Sequence, residues 1–111
     1  MAKLRAHCNY AFFIGGSSDN FDKLAELEQL PHCPGVKIFL GASFGSLLVD
    51  DDIIFENIVK NGKHRLTIHS EDEKRLVERK KIAIDAAHPR AHSIWRDEES
   101  ALISTKKSIH L

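Results

Sequence analysis

The sequence predicts an α/β fold in which parallel strands alternate with helices, and three observations lead there. Three short apolar runs are each followed by a longer segment of helical period. Each run ends in a glycine or a polar turn, and a helix-start signal comes next. The chain has 111 residues, which suits one domain and falls short of the roughly 200 residues of a closed eight-stranded α/β barrel. Residues 1–111 are therefore expected to form a single, incomplete unit of about three parallel strands.

The first run is Tyr10-Ala-Phe-Phe-Ile-Gly-Gly16. A helix is expected to start near Asp19 or Asn20, with Phe21, Leu24, Ala25 and Leu27 on one face and Pro31 beyond its end. The second run, Val36-Lys-Ile-Phe-Leu40, leads to a helix opened by Asp50-Asp-Asp52, where carboxylates favour the positive end of the dipole. Ile54, Phe55, Ile58 and Val59 supply its apolar stripe, and Asn61-Gly62 closes it. The third run is His64-Arg-Leu-Thr-Ile-His69. Ser70 with Glu73 reads as a capping box for the next helix, whose buried side is expected to carry Leu76, Val77, Ala83, Ile84 and Ala87 before Pro89. A last helix opens at Arg96-Asp-Glu-Glu99 and repeats Ala101, Leu102, Thr105, Ser108 and Ile109 at helical spacing. It runs into Leu111 without a stop signal, and the chain opens only a few residues before its first strand, so both ends are expected to be cut.

Charge narrows the function classes. Sixteen basic and sixteen acidic residues cancel, which leaves no excess positive field for nucleic acid or anionic lipid. No run approaches the ~20 apolar residues of a membrane span, and no signal-peptide pattern precedes the first strand. Two cysteines, Cys8 and Cys33, are too few for a disulfide framework and fit a reducing cytoplasm.

Lys37 is out of place in an aliphatic strand. Side chains alternate, so Val36, Ile38 and Leu40 share one face while Lys37 and Phe39 take the other. Leu66 and Ile68 similarly oppose Arg65, Thr67 and His69. With the aliphatic faces under the helices, Lys37 and His69 both point to the inside of any barrel the strands build, and His69 sits at the strand end where such barrels place their chemistry. A buried ammonium must be paired or neutralised. Carbamylation, which turns the amine into a metal-bridging carboxylate, is one solution; snorkelling from a sheet edge is the other. The residues alone leave both open, and a single strand-end histidine is as open to a plain polar role.

Three local words, Gly35-Val-Lys-Ile-Phe-Leu-Gly41, Ala42-Ser-Phe-Gly-Ser-Leu-Leu-Val-Asp50 and Thr67-Ile-His-Ser-Glu-Asp-Glu73, closely resemble consecutive strands of dihydroorotases of the amidohydrolase superfamily, in order and in spacing. The resemblance continues through His88-Pro-Arg-Ala-His92 and Arg96-Asp-Glu-Glu-Ser-Ala101 and covers nearly the whole chain. It implies a segment of a (β/α)8 barrel, from enzymes that open and close a cyclic amide in pyrimidine biosynthesis with two zinc ions. It also implies that Lys37 is the position carbamylated to bridge the metals and that His69 is the metal-binding histidine of the next strand.

The sequence departs from that pattern in ways that bear on activity. It has no His-x-His pair and no Met-Pro-Asn type turn. The later histidine and the catalytic aspartate of the family have no counterpart, and no catalytic base stands at a matching position. The resemblance therefore implies zinc in complete relatives and an inactive lone chain here. Three expectations follow: a degenerate dihydroorotase-like protein without activity of its own, one part of a split enzyme completed by a barrel-completing chain or a second copy, or an interaction module using the open sheet.

Other words compete more weakly. Gly41-Ala-Ser43-Phe-Gly45 satisfies the nucleophile-elbow pattern, with Ser43, Asp50 and His69 as a nominal trio, but Leu47-Leu48-Val49 intervene before the acidic cap. Ser104-Thr-Lys-Lys107 fits S-x-x-K and reads better as a solvated helix face, as does Glu78-Arg-Lys-Lys81. His7-Cys8 and His32-Cys33 lack zinc-site spacing, while His88 and His92 flank Pro89 and read either as part of an active-site loop in a complete relative or as ordinary loop histidines.

Overall fold

The computed structural model describes residues 2–43 and 45–110; Phe44 of the G-x-S-x-G word and the terminal Leu111 lie outside the described residues. In chain order the elements are α1 (Ala2–Arg5), β1 (Ile14–Gly15), a 3-10 turn (Phe21–Lys23) running into α2 (Leu24–Leu27), β2 (Gly35–Phe39), a second 3-10 turn (Gly45–Leu47), α3 (Asp52–Asn61), β3 (Arg65–His69), α4 (Glu73–Ala86), α5 (Ala91–Trp95) and α6 (Glu98–His110). The three strands form one open parallel sheet in the order β1-β2-β3, so β2 is central. The α/β class and the three parallel strands agree with the sequence expectation.

One face of the sheet holds the core. Val36 and Ile38 of β2 are fully buried and pack with Leu24, Val49, Phe55 and Ile58, with Ile14, Leu66 and Ile68 partly buried against them. Burying these side chains at about 1.5–3 kcal/mol each is what binds α2 and α3 to the sheet. At Gly35, whose φ is +144°, an added Cβ would stand 2.0 Å from the Arg65 carbonyl oxygen. Glycine there lets β2 begin in close register with β3.

Several elements differ from the sequence reading, each for a visible reason. The first strand pairs only over Ile14–Gly15, because Phe12 and Phe13 have no covering layer and remain exposed. Asn20 does not cap a long helix. Its carboxamide turns back, accepting from the Ser17 N–H at 3.0 Å and donating to the Gly15 carbonyl at 2.9 Å, and only two short turns follow. Asp51 caps α3 as the acidic run suggests, accepting from the N–H groups of Ile53 and Ile54.

The capping box at Ser70 and Glu73 is corrected: the N-cap of α4 is Asp72, which accepts from the Arg75 N–H at 2.8 Å. The Ser70 hydroxyl is engaged instead with Ser104 and Thr105, and the Glu73 carboxylate accepts from the Ala42 N–H. The buried side expected for α4 is corrected as well. Leu76 is buried, but Val77 is 61% and Ile84 67% exposed, because no element packs on that stripe. The chain leaves α4 through Ala87 in the left-handed region.

α5 was not legible as a helix. It docks on α4 through Trp95, whose indole N–H donates to the Leu76 carbonyl at 2.7 Å, and through Arg79, which donates to the carbonyls of Ile94 and Trp95. Arg79 is thus part of a packed joint and not of a wholly solvated face. α6 turns small residues inward: Ser100 and Ser104 are buried while Leu102, Ile103 and Ile109 are exposed. Serines permit the close approach by which the Asp72 N–H reaches the Ser100 carbonyl and hydroxyl oxygens at 3.0 and 3.1 Å. Ser104 is accordingly not on a solvated face.

The molecule is flat and open. Its extents are 45 × 37 × 21 Å with a radius of gyration of 16.2 Å, against about 13 Å for a compact chain of this length.

Candidate functional site

The face of the sheet opposite the core carries the polar residues. The register pairs Lys37 with Thr67 and Phe39 with His69, so parallel-strand alternation puts all four side chains on one face. None of them is fully buried. Lys37 and His69 are therefore on the same face of adjacent strands, with His69 one dipeptide nearer the C-terminal end.

Lys37 is not an edge lysine, since β2 has a neighbour on each side. Its ammonium lies 4.9 Å from the centroid of the Phe39 ring, a cation–π contact that keeps the charge half-solvated above the sheet. Phe39 in turn lies 5.9 Å, centroid to centroid, from the His69 ring. The three side chains form a continuous row across the face.

His69 is held from the far side by two residues the sequence reading did not single out. Its Nε2 is 2.6 Å from Glu71 Oε2, and its side chain is 35% exposed. Arg96, between α5 and α6, makes a two-pronged ion pair with Glu71: Nε donates to Oε1 at 2.9 Å and a terminal nitrogen donates to Oε2. The guanidinium holds the Glu71 carboxyl below its usual range, with the His69 hydrogen bond adding to the effect against the opposing cost of burial. The Arg96 guanidinium is raised in return. The sequence signal for Glu71 was its place two residues beyond a strand-end histidine; Arg96 joins it across twenty-five positions and had no local signal.

The other candidate residues are not brought together. The side-chain partners of His69 are Glu71 and Arg96, not Ser43 or Asp50, so no hydrolase trio forms. Cys8 and Cys33 are free thiols. His32 packs beside Tyr10 and His88 accepts from the Arg90 N–H, while His92, expected in a loop, lies within α5 and stands edge-on to Trp95. Lys107 pairs with Asp52.

A cavity of about 610 Å³ opens elsewhere, between α3, α4 and α6, where Phe55 and Val77 face carboxylates that include Asp51, Asp72 and Glu78. It marks a gap between helices that do not pack closely.

No group of three or more His, Cys, Asp or Glu side chains able to hold a metal occurs among the described residues. A catalytic zinc takes about three protein ligands and an open position. Lys37 and His69 are two, and Lys37 becomes a ligand only as a carbamate, so these donors do not by themselves fit a zinc centre. None of the described helices is long and apolar enough to cross a membrane. No protein-family model matches the sequence.

Proposed function

We propose that this chain is a degenerate dihydroorotase-like segment of a (β/α)8 barrel, one that keeps two metal-ligand positions and does not hydrolyse a cyclic amide on its own. The observation that carries the reading is the placement of Lys37 and His69 on one face of adjacent parallel strands, the face that does not hold the core. The sequence words around both residues resemble the corresponding dihydroorotase strands, and the two free cysteines suit a reducing cytoplasm. Against turnover stands the donor set, since two positions fall short of a zinc centre and Glu71, the carboxylate beside His69, is already held in an ion pair by Arg96.

The chain purified with zinc and bicarbonate is expected to hold no stoichiometric metal and to leave dihydroorotate intact. Stoichiometric zinc with turnover by the lone chain would overturn the reading.

A second reading is favoured by the surface. Among the described residues more large apolar side chains are exposed than buried, including Phe12, Phe13 and Leu47. Lys37, Phe39, Thr67 and His69 on the polar face are only partly buried, and β1 and β3 are the outer strands of an open sheet. This supports a split enzyme in which another chain, or a second copy, supplies the missing strands and ligands. Mixing with a barrel-completing chain is then expected to restore zinc binding and hydrolysis, and Lys37→Ala to abolish both. A stable complex without metal or turnover would leave the open sheet as an interaction surface alone.

A further inference from the structure

Two nitrogens converge on Glu71 Oε2: His69 Nε2 at 2.6 Å and a terminal nitrogen of Arg96, which themselves stand 3.1 Å apart. The imidazole has two neutral forms, and the geometry separates them. With the proton on Nδ1, the Nε2 lone pair accepts from Arg96 but also faces a carboxylate oxygen at 2.6 Å, two acceptors pressed together with no proton between them. With the proton on Nε2, His69 donates to Oε2 and Arg96 donates to the same oxygen. The 2.6 Å contact then holds a proton between a donor and an acceptor, which is what so short a separation requires.

The geometry points to Glu71 and Arg96 as positioning residues that lock His69 in the Nε2–H form. Arg96 engages both oxygens of Glu71 and aims Oε2 at the ring, Glu71 keeps the proton on Nε2, and Nδ1 becomes the ring's available lone pair. No hydrogen-bond partner for Nδ1 occurs among the described residues. Orientation of a ligating imidazole by a carboxylate on its other nitrogen is the usual way a tautomer is set. The functional meaning of the lock rests on the proposed metal-binding ancestry of the site, whereas the lock itself does not.

The test is metal-free. Nitrogen-15 NMR of the histidine ring in the intact chain, above the imidazole's titration range, reads the tautomer directly. A hydrogen bond to an ionised carboxylate shifts such an equilibrium by about tenfold or more. His69 is therefore expected almost wholly as Nε2–H, with that proton exchanging slowly. Glu71→Leu is expected to return the ring to a mixed population with fast exchange, and Arg96→Gln to weaken the lock without removing it. A mixed or Nδ1–H ring in the unaltered chain overturns the proposal, whether or not the variants fold. So does an unchanged pattern in a folded Glu71→Leu variant. Failure of the zinc and hydrolysis assays would count against the proposed function while leaving the tautomer result standing.

Discussion

The carboxylate of Glu28 and the backbone of His64 are joined across the molecule, the His64 N–H donating to Glu28 Oε1 at 3.1 Å while the neighbouring Lys63 N–H donates to Oε2 at 2.7 Å. Glu28 is only 2% exposed. It follows α2 directly, so one side chain ties the α2 corner to the turn that delivers β3 by accepting from two successive amides of that turn. Glu28→Ala is expected to cost about 2–3 kcal/mol, the loss of two hydrogen bonds from a buried side chain that joins two elements. Glu28→Gln, which keeps one acceptor, should fall between. Urea unfolding midpoints check both, and an Ala variant as stable as the parent would remove Glu28 from the fold's supports.

Arg75 and Asp97 fasten α4 to the start of α6 in the same way, through paired hydrogen bonds of 3.0 and 2.6 Å. The Arg75 guanidinium, helped by the Ser100 N–H and opposed by desolvation, holds the Asp97 carboxyl well below the usual carboxylate range. The unfolded chain then binds the proton first as pH drops, so the stabilisation is complete above the ordinary aspartate value of about 3.9 and is lost as pH falls through the lower folded value. Asp97→Asn keeps an oxygen for the Ser100 N–H but loses the charge. It is expected to be less stable than the parent at neutral pH, with the gap narrowing in acid. Stability measured against pH checks this, and a gap that widens in acid would refute it.

How far the sequence could be read follows from how local each feature is. The strands around Val36 and Leu66 and the cap at Asp51 were legible because alternation and capping act over a few residues. The shared face of Lys37 and His69 was legible for the same reason. Asp72 in place of Ser70 as cap was not, because the choice was made by α6, whose Ser104 and Thr105 take the Ser70 hydroxyl. The Glu71–Arg96 clasp likewise depends on α5 turning the chain back over α4, which no local pattern announces. On α6 the apolar residues keep helical spacing yet lie outside, because the side turned toward the start of α4 is the one that carries Ser100 and Ser104.

Val77 and Ile84 extend that point to α4. They lie seven positions apart, on one helical face, and are mostly exposed, so neither contributes to the core around Val36 and Phe55. The double change Val77→Lys, Ile84→Lys is expected to alter stability by no more than about 0.5 kcal/mol per site and to reduce self-association. Thermal melting with sedimentation velocity checks the pair of effects. A loss near 2 kcal/mol would mean that this stripe is covered in the isolated chain.

Lys37 allows the structural and functional readings to be separated by one substitution. Its only described aromatic partner is Phe39, and a cation–π contact at a half-exposed site is worth about 0.5–1 kcal/mol. Methionine keeps most of the apolar stem and removes the amine that carbamylation needs. If the lysine is retained for a metal site, Lys37→Met should leave the lone chain within about 1 kcal/mol of the parent, and should abolish any zinc uptake gained with the proposed barrel-completing chain. A loss of about 2 kcal/mol or more in the lone chain would instead place Lys37 among the residues that hold the sheet together. The central position of β2 makes this a sharp comparison, because neither outcome can be attributed to fraying at a sheet edge.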